Sequence, residues 1–191
     1  MPERASPLEG HDAPRRFGPT GPDGPGVRLS ERRLASVWLI AAWPDRLAAA
    51  GAAAAKAAGV EAAPGPGASA TGEGGTLMRV EPLKWLLIGE AETARPGLDP
   101  ADGTVLELGH ARTVLHVAGP RAVELMARLV PLDLRPAKFP EGAVAGTVLH
   151  HVGVTILARD GGFDLLVLRS FGLAVWETLI DTAAQFGAEI A

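Results

Sequence analysis

Residues 109–147 read GHARTVLHVAGPRAVELMARLVPLDLRPAKFPEGAVAGT, and this stretch decides the fold. Arg112 to Val117 alternates polar and apolar side chains, which predicts a half-buried strand. Gly119-Pro120 then begins a helix, and its buried stripe at helical spacing is Val123, Met126, Leu129 and Val130. Three prolines in the ten residues from Pro131 to Pro140 require an extended or turning segment.

The chain that follows this stretch predicts a hairpin and a final helix. Val144 to His151 and Val152 to Arg159 read as strands, and Phe163 to Leu168 returns after an Asp160-Gly161 turn. Ser170 is expected to cap the last helix through its hydroxyl, and Gly187 ends that helix. Its predicted buried face is Leu173, Trp176, Leu179, Ile180, Ala183 and Phe186.

The chain that precedes the stretch predicts a similar order. Leu34 to Ala41 reads as a buried strand, and Pro44 opens an Ala-rich helix that ends at Gly59. Residues 62–75 read as a Gly- and Pro-rich loop. Further strands are predicted at Thr76 to Val80, Lys84 to Gly89 and Thr104 to Leu108, the first two as a hairpin.

A strand-helix-strand-strand order therefore occurs twice. It predicts an α+β fold of two ferredoxin-like β-α-β-β halves sharing a core, residues 27–103 and 104–191 of a single domain over 27–191. Residues 1–26 contain six prolines and five glycines, too few apolar groups to offset the entropy of ordering. They predict a disordered arm or one draped over a partner.

Composition excludes several classes of function. A net charge of −4 gives no electrostatic footprint for nucleic acid. The absence of cysteine excludes disulfides, thiolate zinc sites and a cysteine nucleophile, and it fits a cytoplasmic location. The longest apolar run, Leu34 to Trp43, is shorter than the roughly 20 residues of a membrane span. The N-terminus does not read as a secretory signal.

Candidate chemical groups are weak in this sequence. Among the histidines, His150 and His151 are adjacent on a predicted strand, so they point to opposite faces and cannot share a metal ion. His116 reads as a half-buried structural histidine. Asp160 and Asp164 flank a hairpin turn and are expected to serve turn chemistry and solvation.

The known catalytic motifs are absent as well. No G-x-S-x-G elbow surrounds Ser170, and no G-x-G-x-x-G follows a strand. Asp133 lies near Arg135 in the Pro-rich segment, where it can fix the backbone or pair across an interface. We therefore expect no catalytic, cofactor-binding or metal-binding residue on this chain.

Two blocks of sequence carry distinctive motifs. One is Pro131-Leu-Asp-Leu-x-Pro136 with Phe139-Pro-x-Gly142 and Thr147, preceded by Arg112-Thr-Val-x-x-Val-x-Gly-Pro120. The other is Phe163-Asp-Leu165 with Arg169-Ser-Phe171, then Trp176 and Phe186-Gly187. In this order and spacing, the two blocks resemble the gamma subunit of heterotetrameric sarcosine oxidase. The resemblance covers roughly residues 28–187.

This resemblance implies a fold similar to the folate-binding domain of aminomethyltransferases. It implies a bacterial complex that demethylates sarcosine oxidatively to glycine, with hydrogen peroxide and formaldehyde or methylenetetrahydrofolate as products. FAD, FMN, NAD and zinc would belong to the alpha, beta and delta partner subunits, and tetrahydrofolate would be a co-substrate. The expected subunit contacts on this chain are Asp133, Arg135, Phe139, Arg169 and Phe171.

Two other functions stay open at this point. One is a stand-alone folate-binding protein or folate-dependent one-carbon enzyme, for which Glu107, Asp133 or Glu141 would supply a carboxylate. The other is a scaffold in a different multisubunit enzyme. For the accessory-subunit reading, we expect Phe139→Ala to weaken assembly more than it destabilises the fold, because aromatic residues dominate interface energetics.

Overall fold

The computed structural model describes residues 5–19, 21, 22 and 24–191. The chain divides into two compact units. The terminal unit comprises residues 1–32, 110–141 and 146–191, and the inserted unit comprises residues 33–109 and 142–145. The predicted α+β class is confirmed, since sheets and a few helices make up both units.

Twelve strands and three α-helices lie in the described part of the chain. The strands are Arg15–Phe17 (β1), Val27–Arg32 (β2), Ser36–Ala42 (β3), Ser69–Gly72 (β4), Gly75–Glu81 (β5), Lys84–Gly89 (β6), Gly103–Glu107 (β7), Arg112–Ala118 (β8), Val144–Leu149 (β9), Val152–Arg159 (β10), Gly162–Leu168 (β11) and Ala188–Ile190 (β12). The helices are Leu47–Ala58 (α1), Ala122–Met126 (α2) and Gly172–Ala183 (α3). None of these helices is long and apolar enough to cross a membrane.

The inserted unit is a five-stranded antiparallel sheet with α1 on one face. Its strand order is β4-β5-β6-β3-β7. Alanine has the highest helix propensity, and the alanines of α1 that face the sheet pack on Ile40, Leu77, Trp85, Leu87 and Val105. The helix ends at Gly59 as predicted, in a left-handed conformation with φ 70°, and Val60 N–H closes on the Ala55 carbonyl at 3.0 Å.

Two details of the inserted unit differ from the predictions. The helix begins at Leu47 rather than at Pro44, because the chain first makes a turn in which Arg46 N–H donates to the Trp43 carbonyl at 3.0 Å. Strand β4 lies inside the predicted loop. Two glycines near the end of that loop allow close approach to α1, since a Cβ on Gly72 would stand 2.4 Å from the Ala58 carbonyl oxygen and one on Gly74 would stand 2.1 Å from that of Ala57.

The terminal unit is a seven-stranded sheet in the order β1-β12-β2-β8-β11-β10-β9. Its core lies where α2 and α3 meet the sheet, with Leu125, Met126, Trp176 and Leu179 buried against strand residues such as Leu115. The predicted turn between β10 and β11 is confirmed. Asp160 and Gly161 have φ of 56° and 69°, the two positive values that a type I′ hairpin requires.

The unit boundaries differ from the predicted halves. Strand β2 pairs with β8 and, in parallel, with β12, so it belongs to the terminal unit. Strand β7 pairs with β3 in the inserted unit. These pairings join residues far apart in the chain, and local periodicity carries no information about them.

The N-terminal segment is ordered where it is described. Leu8 is fully buried in the terminal core, and β1 pairs with β12. Burying one leucine contributes roughly 2 kcal/mol, so a few apolar residues offset the Pro- and Gly-rich composition that predicted a disordered or partner-draped arm. Residues 1–4, 20 and 23 of that predicted arm lie outside the described residues.

Candidate functional site

The Pro-rich segment, residues Pro131–Pro140, carries an exposed ion pair. Arg135 Nε and Nη2 donate to the two carboxylate oxygens of Asp133 at 2.7 and 2.5 Å, and Arg135 N–H donates to Asp133 Oδ1 at 3.2 Å. The side-chain bond from Arg135 lowers the pKa of Asp133 to about 2, and the same bond raises the pKa of Arg135. Asp133 therefore fixes the local backbone, which is one of the two roles expected of it.

Phe139 points toward the protein rather than toward solvent. A helical turn places it there, because the N–H groups of Lys138 and Phe139 both donate to the Arg135 carbonyl at 2.8 Å. Its ring is partly buried against the terminal core, with its centroid 6.4 Å from that of Phe163. Phe139 therefore anchors the Pro-rich segment to the sheet.

The β11–α3 segment, residues Leu168–Phe171, presents apolar side chains to solvent. Leu168 is 43% exposed and Phe171 is 44% exposed. Arg169 lies between them, half-buried, and its N–H donates to the Ala111 carbonyl at 3.0 Å. These two exposed apolar side chains are three residues apart in the chain, and exposed apolar patches are typical of protein contact surfaces.

The five predicted contact residues do not form one surface. Phe139 packs beside Phe163, near the first residue of β11, whereas Arg169 and Phe171 follow its last residue, Leu168. Five residue steps of extended strand span about 17 Å. Asp133, Arg135 and Phe139 thus lie at one end of β11, and Arg169 and Phe171 lie at the other.

Ser170 does not cap α3. It lies in a 3-10 turn over Arg169–Phe171, and neither this turn nor α3 has a side-chain cap. The α-helix begins at Gly172, where a Cβ would stand 2.9 Å from Pro7 and 3.0 Å from Thr113. The absence of a side chain at Gly172 allows this close approach.

An ionic cluster around one buried carboxylate lies in the middle of the terminal sheet. Asp164 is fully buried, and its Oδ1 accepts hydrogen bonds from Arg32 Nε at 2.8 Å and from His116 at 2.7 Å if Nδ1 is protonated. Arg32 also bonds Asp160 Oδ2 at 2.5 Å. Arg159 Nε lies 3.7 Å from Asp164 Oδ2, an atom that has no hydrogen-bond partner within the described chain.

Opposite charges balance one another in this cluster. Burial disfavours the charged form of Arg32, but Asp164 and Asp160 outweigh it and raise the pKa of Arg32. Burial likewise opposes ionisation of Asp160, and the charges of Arg159 and Arg32 overcome it, so the pKa of Asp160 is lowered. The cluster joins β2, β8, β10 and β11 by charge-assisted hydrogen bonds.

Of the predictions for these residues, the one for His116 agrees with the structure and the one for Asp164 does not. His116 is 12% exposed and hydrogen-bonded, as predicted for a structural histidine. Asp164 was expected to be solvated, and it is buried instead. Asp164 alternates with core residues on β11, and its neighbours across the sheet are His116 on β8 and Leu157 on β10. The only signal in the sequence is a charged residue within an apolar strand.

The adjacent histidines lie in a turn rather than on a strand. His150 has φ of 51°, and both His150 and His151 are exposed between β9 and β10. The predicted strand ends at Leu149, so the argument from opposite strand faces does not apply to them. Across the described residues, no group of three or more His, Cys, Asp or Glu side chains is arranged to hold a metal ion.

Comparison with known proteins identifies the family. The model of the Sarcosine oxidase, gamma subunit family matches residues 44–185. The chain belongs to this family. A gamma subunit of sarcosine oxidase from Corynebacterium sp. (strain U-96) is 30% identical in an alignment of 122 residues, and this alignment covers 60% of this chain. The aligned part spans 59% of the length of that gamma subunit.

Two solved structures resemble this gamma-family chain. A chain of heterotetrameric sarcosine oxidase from Corynebacterium sp. U-96, in complex with pyrrole 2-carboxylate, matches with a TM-score of 0.76 and 25% identity over 96% of both chains. Aminomethyltransferase T of the glycine cleavage system from Bartonella henselae matches with a TM-score of 0.61 and 15% identity. That match covers 96% of this chain and 61% of the transferase, and it confirms the expected fold.

Proposed function

We propose that this chain is the gamma subunit of a heterotetrameric sarcosine oxidase and serves there as an accessory, non-catalytic partner. The observation that carries the proposal is the similarity to a chain of such an oxidase over 96% of both chains. The family match over residues 44–185 supports this role over a stand-alone folate protein.

The proposed complex demethylates sarcosine oxidatively to glycine and releases hydrogen peroxide, with formaldehyde or methylenetetrahydrofolate as the second carbon product. Its alpha, beta and delta subunits would carry FAD, FMN, NAD and zinc, and tetrahydrofolate would enter as co-substrate. In this arrangement the chain described here supplies surface and stability rather than redox chemistry.

The state of the polar groups supports a non-catalytic role. Asp133 is held by Arg135, and Asp164 by Arg32 and His116, in ion pairs that fix the backbone or the sheet. The pairing with Arg135 lowers the pKa of Asp133, so that carboxylate is a weak general base. Ser170 lies in an exposed 3-10 turn, and the structure gives it no hydrogen bond to a base among the described residues.

The proposed contact with a partner subunit centres on the β11–α3 segment. Leu168 and Phe171 are exposed apolar groups, and Arg169 between them supplies a cation. Burying aromatic and arginine side chains typically contributes most of the binding energy of an interface. Asp133 and Arg135, at the other end of β11, would lie at a second, polar contact.

The role can be tested by omission. Co-expression of all four subunits should give sarcosine-dependent hydrogen peroxide formation, and the purified gamma chain alone should give none. Leaving out the gamma chain should lower the yield of assembled complex. Peroxide formation by the gamma chain alone, after flavin is supplied, would contradict the proposal.

A further inference from the structure

A cleft of about 530 Å³ opens beside α1 in the inserted unit. Its volume lies within the range of small-molecule sites, roughly 300–1,000 Å³. One wall is built from the side of α1 that carries Ala48, Ala52 and Ala55, whose small side chains leave room. The opposite wall is the chain that follows the helix, including Val60.

One end of the cleft carries a positioned guanidinium. Arg79 on β5 lies directly across from Trp85 on β6, and its guanidinium stacks over the indole with 4.9 Å between the Cζ atom and the ring centroid. The backbone carbonyl of Pro82 accepts a hydrogen bond from Arg79 Nη2. The side chain is therefore fixed by stacking and by one hydrogen bond before any ligand arrives.

The donor set of Arg79 is incompletely used. Its Nε is buried and has no acceptor in the described chain. A guanidinium has five N–H donors in a planar fork that matches a carboxylate. An unmade hydrogen bond at a buried donor costs free energy, which a ligand oxygen that reaches this edge of the guanidinium would recover.

The charges that line the cleft select for a single negative charge. Lys56 and Arg79 are cations and Glu61 is an anion, so the three formal charges sum to +1. A monoanion is attracted to this set, whereas a second negative charge on the ligand would meet Glu61. Apolar side chains, Leu47 and Val60 among them, also line the cleft, which suits a hydrocarbon body.

We propose that this cleft binds a small organic monocarboxylate, with its apolar body against α1 and its carboxylate at Arg79 and Lys56. The proposal concerns the inserted unit alone and does not depend on the accessory role proposed above.

The test is a titration of the ¹⁵N-labelled full chain with sodium benzoate, with benzamide as the uncharged match. Benzoate should shift the amide resonances of Gly51, Ala52 and Lys56 saturably, with a Kd of about 1 mM for a ligand of its size. Benzamide should bind at least about tenfold more weakly, because it lacks the charge that Arg79 and Lys56 recognise. Equal binding of the two probes would overturn the role of the cations.

Matched variants locate the site. Ala52→Leu should abolish binding by filling the cleft, whereas Ala49→Leu, on an exposed position of α1 outside the lining, should leave it unchanged. Arg79→Gln should weaken binding about tenfold or more, and Arg95→Gln, an exposed arginine elsewhere in the unit, should not. Glu61→Gln should tighten binding by removing the one anion.

Two results would overturn the proposal. One is the absence of saturable shifts in the cleft amides at benzoate concentrations about tenfold above the expected Kd. The other is unchanged binding in Ala52→Leu, which would place benzoate elsewhere. If Arg79→Gln unfolds the chain, Lys56→Gln at an exposed position decides the role of the cations by the same criterion.

Discussion

The Pro-rich segment and the β11–α3 segment flank the same strand, and their aromatic residues point in opposite directions. Phe139 is partly buried and packs near Phe163, at the beginning of β11. Phe171, just beyond the end of β11, is 44% exposed. The same residue type therefore serves as an internal anchor in one segment and as an exposed surface group in the other.

The difference shows that an unusual amino-acid composition does not indicate whether the aromatic side chain of a segment is buried or exposed. The sequence of the Pro-rich segment predicted a surface that contacts a partner subunit. In the structure the turn over Arg135–Phe139 rotates its aromatic ring inward and leaves an ion pair outside. The exposed apolar surface is in the second segment, where the 3-10 turn lifts Phe171 away from the core.

Among the substitutions considered, one on β11, the strand between the two segments, should have the largest effect on stability. Asp164→Asn removes one of the two carboxylates that balance the partly buried Arg32, so we expect the free energy of unfolding to fall by about 3 kcal/mol. Urea unfolding of the full chain measures it. A variant as stable as wild type would show that the cluster does not hold the sheet, and Asp160→Asn, at a more exposed carboxylate, is the control with a smaller loss.

Phe139→Ala should have the second largest effect, and it should lower the free energy of unfolding. Full truncation of a core phenylalanine costs about 3–5 kcal/mol, so a partly buried ring should cost about 2 kcal/mol. This expectation replaces the one drawn from sequence alone, because the ring packs inward. Thermal unfolding and a pull-down of partner subunits, done on the same variant, decide between the two. Lost assembly with unchanged stability would restore the earlier assignment.

Phe171→Ala should have the opposite pattern, with little change in stability and weaker assembly. The residue is 44% exposed and lies outside the terminal core, so the melting temperature should stay within about 2 °C of wild type. Assembly with the partner subunits should weaken about tenfold if the ring is a main contact. Surface plasmon resonance against the remaining subunits measures the loss. A lowered melting temperature with unchanged affinity would contradict the assignment of Phe171 as an exposed contact residue.

The exposed ion pair should give the smallest effect, confined to acid pH. Because the pKa of Asp133 is lowered to about 2 from an ordinary value near 3.8, its contribution to stability is present above the ordinary value. That contribution is lost as pH falls through the lowered one. The stability difference between wild type and Asp133→Asn should thus be constant near neutrality and shrink between about pH 4 and pH 2. A difference that grows on acidification would contradict the pairing.

Local sequence signals predicted local structure well. The Asp160-Gly161 turn and the Gly59 helix stop follow from backbone conformations that few residue types adopt. The hairpin of β5 and β6 and the buried face of α3 around Trp176 follow from periodicity. Each of these features depends on residues that are close together in the chain.

Features that depend on distant partners were not predictable in this way. The parallel pairing of β12 with β2 and the burial of Leu8 join the two ends of the chain. The burial of Asp164 depends on Arg32, which lies 132 residues away. The inward turn of Phe139 depends on where Phe163 lies. Hydrophobic pattern alone cannot supply such contacts, because each needs the position of a second strand.

The accessory role is tested most directly by affinity purification of the tagged full chain from cells that make the complex. We expect the chain to elute with larger subunits in fixed stoichiometry, and we expect the eluate to show flavin absorbance. We also expect that Phe171→Ala reduces this recovery while Phe139→Ala, folded at low temperature, retains it. Recovery of the tagged chain alone, without flavin-bearing partners, would contradict the account.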